Sequence, residues 1–431
     1  MEQFIDCKSC ESKKVERFIN FGEMPPGNFY PTSEEISNPD FKEPTFNMAV
    51  GFCHDCSMVQ LLETVDYETS TKKDDKGNWE YAYHSSSSTP MKKHFASFAN
   101  EVMKKLPQYG KILEIGSNDG IFLQNFLGKY NVLGIEPFHN VAEIARQKGI
   151  PVVTEFFTYE FAKDLTKSFG NFEVVAASNT AINIPNQNSF ISGIETLLTD
   201  KGFAVIENPD LSSMLKKDAF DQIYDEHIFY YSLNSLEKLF NRHGMEIFDC
   251  APQEVHGGSM RVYAGKIGKH QKTKVLEYKM ENEEKNRLNS VRPYKEFSRR
   301  VEKNKARLQE LVGVLTDDSR GHERKIIGYG ATSKANMIYN FCNLNNETIE
   351  YITDTTPYKQ GSFTPLTHIP IVSPEYFQKD YSENTRIAAF LGAWNYASPI
   401  INKEKDFINT GGLFFTHIPS PQIINPLKIE V

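Results

Sequence analysis

Two Cys-x-x-Cys pairs near the start of the chain carry side chains that could bind a metal ion. The first pair is Cys7 and Cys10, and the second is Cys53 and Cys56. A Cys-x-x-Cys turn places two thiolates on one side of a tight loop, and two such turns supply the four soft ligands that tetrahedral zinc prefers. Because four cysteines fill the coordination shell, we predict a structural zinc site that performs no chemistry. A redox dithiol is the alternative for either pair taken alone.

Residues 114–120 could bind a nucleotide cofactor, and they read Glu114-Ile-Gly-Ser-Asn-Asp-Gly120. Small residues between a strand and a helix let the backbone approach a ligand, and the helix N-terminus then faces it. Glu136 ends the next predicted strand, where a carboxylate can accept both ribose hydroxyls of an adenosine group. Glu114 suits the amino group of S-adenosylmethionine. The predicted cofactor-binding residues are Glu114, Gly116, Ser117, Asn118, Gly120, Glu136 and Asn179.

A dinucleotide is the alternative ligand for this loop. Its fingerprint is Gly-x-Gly-x-x-Gly, whereas Asn118 stands here in place of the second glycine, and four positions separate Gly116 from Gly120. The sequence therefore favours S-adenosylmethionine over a dinucleotide, and over a strand turn with no ligand.

A third run, from Asp221 to Ser232, is dense in titratable and hydroxyl side chains. His227 could act as a general base, because imidazole titrates near neutral pH, and its neighbour Glu226 could orient it. Tyr224 precedes His227 by three residues, so a helical turn would place both on one face. The alternative is a buried structural histidine among core tyrosines. Residues 256–261, His256-Gly-Gly-Ser-Met-Arg261, are a second polar run, or an ordinary hairpin turn.

The scaffold for these residues is predicted by short apolar runs that alternate with amphipathic patterns from about residue 91 to 265. This alternation is typical of βαβ units on a parallel, doubly wound sheet. The chain before it is expected to be a small, loop-rich module. A charged helical connector with a second helix opened by Pro293, and then a second α/β module from Lys325, are expected after it. The predicted strands are 111–115, 131–135, 172–177 and 202–206, and the predicted helix after the cofactor loop includes 122–127.

Composition narrows the class of protein. The chain has 431 residues, a net charge of −8 and six cysteines. That length favours several domains. The net negative charge disfavours a surface that binds the phosphates of a nucleic acid. Six cysteines are too few for a fold held together by disulfides. Cys250 and Cys342 are expected to be buried thiols. With no secretory signal and no apolar run of about 18 residues, we expect a cytoplasmic protein with a small-molecule substrate and neither a nucleic-acid nor a membrane partner.

Taken in order, these motifs resemble those of the nucleotide-sugar C-methyltransferases, enzymes that make branched deoxysugars. The resemblance covers nearly the whole chain. Beyond the cysteine pairs, the cofactor loop and the run from His256, the matching residues are Tyr81-Ala-Tyr83-His-Ser-Ser86, Tyr224-Asp-Glu-His227, Tyr231-Ser232, Gly328-Tyr-Gly-Ala331, Lys334, Asp354, Lys359-Gln-Gly361 and Trp394-Asn395.

The resemblance implies an α/β fold class with a central doubly wound class I methyltransferase sheet, a small N-terminal zinc-binding module and a C-terminal Rossmann-like α/β domain. The expected boundaries are 1–70 for the zinc-binding module, 71–270 for the S-adenosylmethionine-dependent methyltransferase domain, 271–318 for the helical connector and 319–431 for the domain that binds the sugar nucleotide.

The resemblance also implies the reaction, which is methylation at C3 of a nucleotide-linked 4-keto-6-deoxy sugar through a base-generated enediolate. The base is His227 or Tyr224. The expected catalytic residues are His227, Tyr224, Glu226, Asn183 and Tyr83. The expected substrate-binding residues are Tyr81, His256, Ser259, Arg261, Tyr329, Lys334, Asp354, Lys359 and Asn395.

One position departs from the family pattern. Asn183 stands where we expect a histidine near the reacting carbon. Asparagine can donate a hydrogen bond to a carbonyl oxygen but cannot move a proton at neutral pH. This substitution leaves the role of base to His227 or Tyr224, and it leaves the substrate and the stereochemical outcome open.

Two other enzyme classes remain as alternatives. Residues 328–334 and Asp354 would also suit an NAD-dependent sugar-nucleotide oxidoreductase, because an acidic residue after the second strand can bind ribose. A zinc-ribbon RNA methyltransferase is disfavoured by the net acidity. The sequence does not determine the nucleotide, the sugar or the oligomeric state.

Overall fold

The computed structural model describes residues 6–70, 72–73, 76–81, 84–107, 109–321 and 323–425. The predicted catalytic residue Tyr83 lies outside these residues. Within them, the predicted α/β fold class is confirmed, with one antiparallel and two mostly parallel sheets and a short hairpin. None of the described helices has the length and apolar character needed to cross a membrane.

The zinc-binding module is built on an antiparallel sheet, and long loops join its few short elements, as expected of a small, loop-rich module. In β1, register shifts after Arg17 and Asn20 interrupt the ladder with β2, and such bulges disturb the two-residue periodicity that identifies strands in a sequence. The ladder places Val15 opposite Cys53 at one end and Met24 opposite Phe46 at the other. The elements are β1 (Val15–Met24), α1 (Ser33–Ser37), β2 (Phe46–Cys53) and β3 (Val59–Leu61).

The central domain contains a seven-stranded sheet whose buried strands separate two hydrophobic cores. The elements are α2 (Tyr67–Ser70), β4 (Lys72–Lys73), β5 (Trp79–Glu80), α3 (Thr89–Lys105), β6 (Lys111–Ile115), β7 (Asn131–Ile135), α4 (His139–Gln147), β8 (Val152–Val153), α5 (Tyr159–Phe169), β9 (Phe172–Ser178), α6 (Gln187–Leu197), β10 (Leu198–Pro209), α7 (Leu211–Lys217), β11 (Phe229–Tyr230), α8 (Leu233–Asn241), β12 (Met245–Gln253) and β13 (Ser259–Lys266).

The strand order of this sheet is β12-β13-β10-β9-β6-β7-β8, with β10, β9, β6, β7 and β8 parallel. Alternate residues of β9, such as Val174 and Val175, enter different cores, so helices cover both faces. All four predicted strands are confirmed. The helix predicted at 122–127 is wrong, because only a 3₁₀ turn, Leu123–Phe126, forms there. Phe122 and Phe126 are fully buried, and the side-chain amides of Gln124 and Asn125 donate to the carbonyl oxygen of Ile121 within the turn.

Two helices follow, α9 (Lys274–Lys285) and α10 (Arg292–Thr316), with Pro293 in the first turn of α10 as predicted. The C-terminal domain then forms a six-stranded sheet of order β16-β15-β14-β17-β18-β19, parallel except for β19. Its elements are β14 (Lys325–Tyr329), α11 (Ser333–Phe341), β15 (Ile352–Thr353), β16 (Ile371–Val372), α12 (Pro374–Glu383), β17 (Ile387–Leu391), α13 (Ala397–Lys403), α14 (Lys405–Asn409), β18 (Leu413–Thr416) and β19 (Gln422–Ile423).

A strand of the central domain joins the zinc-binding module. β11 pairs antiparallel with β3, which completes a four-stranded sheet of order β1-β2-β3-β11. Leu61 also donates a backbone hydrogen bond of 2.8 Å to Ile228. His227 therefore lies two positions before a strand that the zinc-binding module holds in place.

Candidate active site

The four cysteines of the two pairs come together as predicted. Their sulfur atoms all lie within 4.8 Å of one another, and Cys7 Sγ is 3.6 Å from Cys56 Sγ. A tetrahedral zinc ion with bonds of about 2.3 Å holds its sulfurs about 3.8 Å apart. The two pairs thus form a single four-sulfur site that fits zinc, which disfavours two separate redox dithiols.

The central domain contacts this cluster through α8. Lys238 Nζ donates to the carbonyl oxygen of Asp55 at 3.3 Å, and the Arg242 guanidinium donates to the carbonyl oxygen of Ser9 at 2.8 Å. The charged groups of Lys238 and Arg242 thus contact the two turns that carry the cysteines. Positive charge near the cysteines favours their thiolate form, which binds zinc.

The cofactor loop turns sharply after β6 and requires glycine at two positions. Gly116 has φ +71°, and a Cβ there would lie 2.2 Å from Thr180 Oγ1. Gly120 has φ +78°, and a Cβ there would lie 2.3 Å from Ile150 Cδ1. Only glycine avoids both the strained backbone and these clashes. The loop is therefore built for close approach of backbone to its surroundings, as the sequence predicted.

Two buried carboxylates border this loop. Glu136 accepts hydrogen bonds from the backbone N–H groups of Asn118 at 2.8 Å and Phe138 at 3.1 Å, and burial raises the pKa of Glu136 to about 7. Burial also raises the pKa of Glu114 well above its ordinary value, and the charge of Glu136 adds to the effect. Among the described residues, Glu114 Oε2 and Ser117 Oγ are buried without a hydrogen-bond partner. An ammonium group and hydroxyls, as S-adenosylmethionine offers, would satisfy these atoms.

Residues 84–88, which precede α3, cover the loop, and sequence reasoning missed this contact. Ser85 N donates to Asn118 Oδ1 at 3.0 Å, and Ser86 N donates to Asp119 Oδ2 at 2.9 Å. Tyr81, predicted to bind substrate, stacks on Phe138 with ring centroids 4.9 Å apart. Its hydroxyl donates to Glu226 at 3.2 Å, so Tyr81 connects the cofactor side of the site to the predicted catalytic run.

The predicted catalytic pair is in contact, although a turn rather than a helix brings it together. Tyr224 and His227 close a tight turn through a backbone hydrogen bond of 3.0 Å. His227 Nδ1 is 2.8 Å from the carbonyl oxygen of Gln222, which can only accept, so this nitrogen carries the proton. His227 Nε2 is then the acceptor for the Tyr224 hydroxyl at 2.8 Å.

The expectation that Glu226 orients His227 is wrong. Both ring nitrogens of His227 are engaged by Gln222 and Tyr224, whereas the Glu226 carboxylate accepts from Asn28 and Tyr81. Burial, followed by the charge of Lys334, lowers the pKa of His227 to about 3. The ring is therefore neutral at pH 7, and Nε2 is its unprotonated nitrogen. Burial raises the pKa of the Tyr224 phenol well above its ordinary value.

Asn183 lies beside this pair. Asn183 is the last residue of the 3₁₀ turn Ala181–Asn183. Its neighbour Ile182 accepts a backbone hydrogen bond of 3.0 Å from Ile228, the residue after His227. This bond brings the backbone of Asn183 close to that of His227. Asn183 Oδ1 is buried without a hydrogen-bond partner in the described part of the chain. The amide is thus free to engage a ligand.

The run that begins at His256 packs against the C-terminal domain. His256 Nε2 is 3.3 Å from Asn179 Nδ2, and burial lowers the pKa of His256 to about 3. A Cβ on Gly257 would lie 2.3 Å from Trp394, whose indole donates to Asp221 at 2.7 Å. This run therefore joins the cofactor side of the site, through His256 and Asn179, to the C-terminal domain, through Gly257 and Trp394.

Arg261 and Ser259 are both bonded within the fold, so the assignment of these two residues to substrate binding stays a prediction. The Arg261 side chain is 1% exposed and pairs with Glu207 at 2.7 Å and with Glu101. His94 also bonds Glu207, at 2.5 Å. Ser259 Oγ donates to the carbonyl oxygen of its own turn at 3.1 Å. A sequence does not show whether a charged side chain is paired inside the fold or binds a ligand. The partners of Arg261 are distant in sequence, so no local pattern indicates them.

The C-terminal residues divide into two groups. Asp354 accepts from Ala331 N at 2.7 Å, and Lys359 donates to the carbonyl oxygen of Ala331 at 2.7 Å, so both stabilise the turn after β14. Tyr329 donates to Glu404 at 2.6 Å. All three side chains are therefore hydrogen-bonded within the C-terminal domain.

Lys334 and Asn395 remain available to a ligand. Lys334 lies in the first turn of α11, close enough to His227, His256 and Asp221 for its charge to affect the pKa of each. Burial lowers the pKa of Lys334, and Asp221 opposes that effect. Among the described residues, neither Lys334 nor Asn395 has a side-chain hydrogen bond or ion pair, and Asn395 lies in the turn Trp394–Tyr396.

Comparison with known proteins assigns each part of the chain. Residues 7–70 match the family model of a zinc binding domain, residues 89–249 that of a methyltransferase domain, and residues 254–419 that of a C-methyltransferase C-terminal domain. The chain is 30% identical over 426 residues to C-methyltransferase NovU of Streptomyces niveus, with 97% of each chain covered.

Solved methyltransferase structures also resemble part of the chain. N-methyltransferase NodS of Bradyrhizobium japonicum has a TM-score of 0.32 at 10% identity, covering 41% of this chain and 97% of its own. Magnesium protoporphyrin IX methyltransferase of Synechocystis, determined with bound S-adenosylmethionine, has a TM-score of 0.31 at 12% identity, covering 41% of this chain and 79% of its own.

The predicted cofactor and metal are confirmed. The methyltransferase domain includes the glycine loop with its unpartnered Glu114 carboxylate oxygen, and its cofactor is S-adenosylmethionine. The zinc binding domain includes all four clustered cysteines, and its metal is zinc.

Proposed function

The chain belongs to the C-methyltransferase family, and from this premise we propose that it methylates C3 of a nucleotide-linked 4-keto-6-deoxy sugar. The observation that carries the proposal is the hydrogen-bonded pair of Tyr224 and His227, with a neutral imidazole, between the cofactor loop and the C-terminal domain. Family membership sets aside the NAD-dependent oxidoreductase and the RNA methyltransferase.

The cofactor loop holds the methyl donor in this proposal. Bound S-adenosylmethionine supplies an electrophilic methyl group on a positively charged sulfur. Glu114 would pair with the ammonium of the methionine part, Glu136 would accept the ribose hydroxyls, and Gly116 would let the backbone approach closely. The segment at Ser86, through Asp119, keeps the loop in its binding conformation.

Proton removal from C3 is the step assigned to His227. The ketone at C4 acidifies the C3–H bond, and the electron pair of that bond moves onto the C4 oxygen as the proton leaves. The proton reaches His227 Nε2 either directly or through Tyr224, which then takes the C3 proton while passing its own hydroxyl proton to Nε2. Negative charge on the nearby enediolate raises the pKa of the imidazole and so favours this transfer.

The enediolate needs positive charge or hydrogen-bond donors near its oxygens. The Asn183 amide and the Lys334 ammonium are the groups beside His227 that meet this requirement. Tyr83 remains a predicted contributor. The Lys334 ammonium comes from the C-terminal domain, which would couple substrate binding in that domain to chemistry in the central one.

The direct test is mass spectrometry of products from a panel of 4-keto nucleotide sugars incubated with S-adenosylmethionine. A gain of one methylene unit on the sugar, mapped to C3, supports the proposal. Deuterium incorporation at C3 in the absence of the methyl donor would report the proton step alone. Absence of methylation across thymidine and guanosine diphosphate sugars would refute the substrate class.

Replacing Glu136 by glutamine is expected to raise the Kd of S-adenosylmethionine roughly 10-fold or more, because a charge-assisted hydrogen bond to a ribose hydroxyl is lost. In the unmodified protein, binding should strengthen as pH rises through about 7, where Glu136 loses its proton. Calorimetric titration at several pH values measures both effects. Glu155→Gln, an exposed carboxylate after β8, is the matched control. An unchanged Kd in Glu136→Gln would remove this residue from the cofactor site.

Substitutions at Asn183 test its role at the developing oxyanion. Asn183→Ala is expected to lower kcat roughly 100-fold, the usual effect of losing one oxyanion donor. Asn183→Asp has nearly the same shape but adds negative charge, so its kcat should be lower still. Steady-state rates at saturating cofactor measure both variants, and wild-type turnover by Asn183→Asp would contradict the assignment.

A further inference from the structure

Residues 25–30, hereafter the module loop, connect β1 to the chain that leads to α1 and lie at the end of the β1–β2 ladder away from the cysteines. This loop is enclosed by the other two domains. Gly27 N donates to Asp225 Oδ1 at 2.8 Å, and Asn336 of α11 donates to the carbonyl oxygen of Gly27 at 2.7 Å. A Cβ on Gly27 would lie 2.7 Å from Ser333 Cβ, so only glycine fits.

The next residue of the module loop contacts the predicted catalytic run. Asn28 Nδ2 donates to Glu226 Oε1 at 2.5 Å, while the Tyr81 hydroxyl donates to Glu226 Oε2 at 3.2 Å. Each carboxylate oxygen is thus held by a different segment of the chain. An ionised carboxylate offers about four acceptor positions, so two remain for another donor.

This carboxylate lies in an environment that opposes its charge. Burial raises the pKa of Glu226, and the hydrogen bonds from Asn28 and Tyr81 counteract that rise. Burial and the charge of Glu226 together raise the pKa of the adjacent Asp225 to about 7. The donor amide of Asn28 is therefore one of the few groups that stabilise Glu226 as an acceptor.

We propose that Asn28 is a positioning residue through which the zinc-binding module fixes the Glu226 carboxylate in the sugar site, where Glu226 accepts a hydroxyl of the substrate. This inference rests on the proposed function, because it assumes a sugar beside His227. It assigns to the zinc-binding module a part in substrate specificity. A sugar that lacks the recognised hydroxyl leaves the half-buried Glu226 carboxylate incompletely bonded, which disfavours binding of that sugar.

Two substitutions test the proposal in the zinc-loaded, full-length protein. Asn28→Leu keeps the size of the side chain but removes the donor, and it is expected to lower kcat/KM for the sugar nucleotide roughly 10- to 100-fold. The Kd of S-adenosylmethionine and the zinc content should not change, since Asn28 contacts neither site. Asn47→Leu is the matched control, because Asn47 lies in β2 of the same module and has no side-chain hydrogen bond within the described residues.

Asn28→Asp provides a pH readout that a packing role would not produce. A third carboxylate beside Glu226 and Asp225 should abolish most activity at alkaline pH, and activity should partly return as pH falls, because a protonated carboxyl can donate again. The other titratable groups near Glu226 could also contribute to this pH dependence, and they are Asp225, Tyr81, Tyr224, Tyr30 and Lys359.

Crystal structures of the variants give a readout independent of turnover. In Asn28→Leu, the Glu226 carboxylate is expected to leave the Tyr81 hydroxyl, and an undisturbed carboxylate would overturn the inference. Wild-type kcat/KM in Asn28→Leu would overturn it as well. If the unmodified protein methylates no keto sugar, the proposed function fails, whereas an active wild type with an equally active Asn28→Leu variant refutes the role of Asn28 alone.

Discussion

Replacement of His227 by alanine is expected to lower kcat roughly 100- to 10,000-fold, the range that general-base catalysis contributes. In the proposed mechanism, the neutral ring of His227 is the final proton acceptor whether or not Tyr224 relays the proton, so no other group would replace it. The Kd of S-adenosylmethionine should stay close to the wild-type value, because the cofactor loop belongs to β6 and β7 and makes no hydrogen bond with this ring. Single-turnover methyl transfer and calorimetry measure the two quantities separately.

Two companion variants make the result specific. Tyr224→Phe keeps the ring but removes the hydroxyl; a loss as large as that of His227→Ala indicates a relay through Tyr224, and a small loss indicates direct transfer to Nε2. His243→Ala removes a half-buried histidine that bonds Ser192 and Asn188 away from the site, and it should retain activity. Substantial turnover by His227→Ala would contradict the assignment of the base.

Much of this site was predictable because its signals are local. Zinc ligands three positions apart, a glycine loop between strand and turn, and a carboxylate at the end of the following strand each depend on a short stretch of chain. The tight turn that joins Tyr224 to His227 is also local, although its geometry is not helical. Residue types at fixed spacing identify such features.

The rest depends on contacts between distant parts of the chain. Asn28 and Glu226 form a hydrogen bond although 198 positions separate them in the sequence, and no pattern near either residue indicates the pair. The neutralisation of Arg261 by Glu207 and Glu101 likewise requires strands and helices to be assembled first. The pairing of β3 with β11 is equally non-local, and it connects the zinc-binding module to the catalytic turn.

Removal of zinc is expected to abolish methyl transfer while S-adenosylmethionine still binds. Structural zinc sites contribute about 10–16 kcal/mol of binding free energy to the fold of their module, so Cys53→Ser or a strong chelator should unfold the β1–β2–β3 sheet. The lost β3–β11 pairing would release the residues around Ile228, and with them the bond between His227 and Tyr224. Zinc content, circular dichroism, turnover and cofactor affinity report each step.

Loss of turnover without loss of cofactor binding would distinguish a local effect of the zinc-binding module from unfolding of the whole protein. The cofactor loop is built from β6 and β7, which lie in a different sheet from the zinc-binding module, so cofactor affinity and turnover should separate. Cys250→Ser changes a buried thiol outside the cluster and should keep both zinc and activity. A zinc-free protein with full turnover would show that the module does not position the catalytic turn. Loss of cofactor binding in parallel with turnover would show instead that the whole central domain depends on the metal.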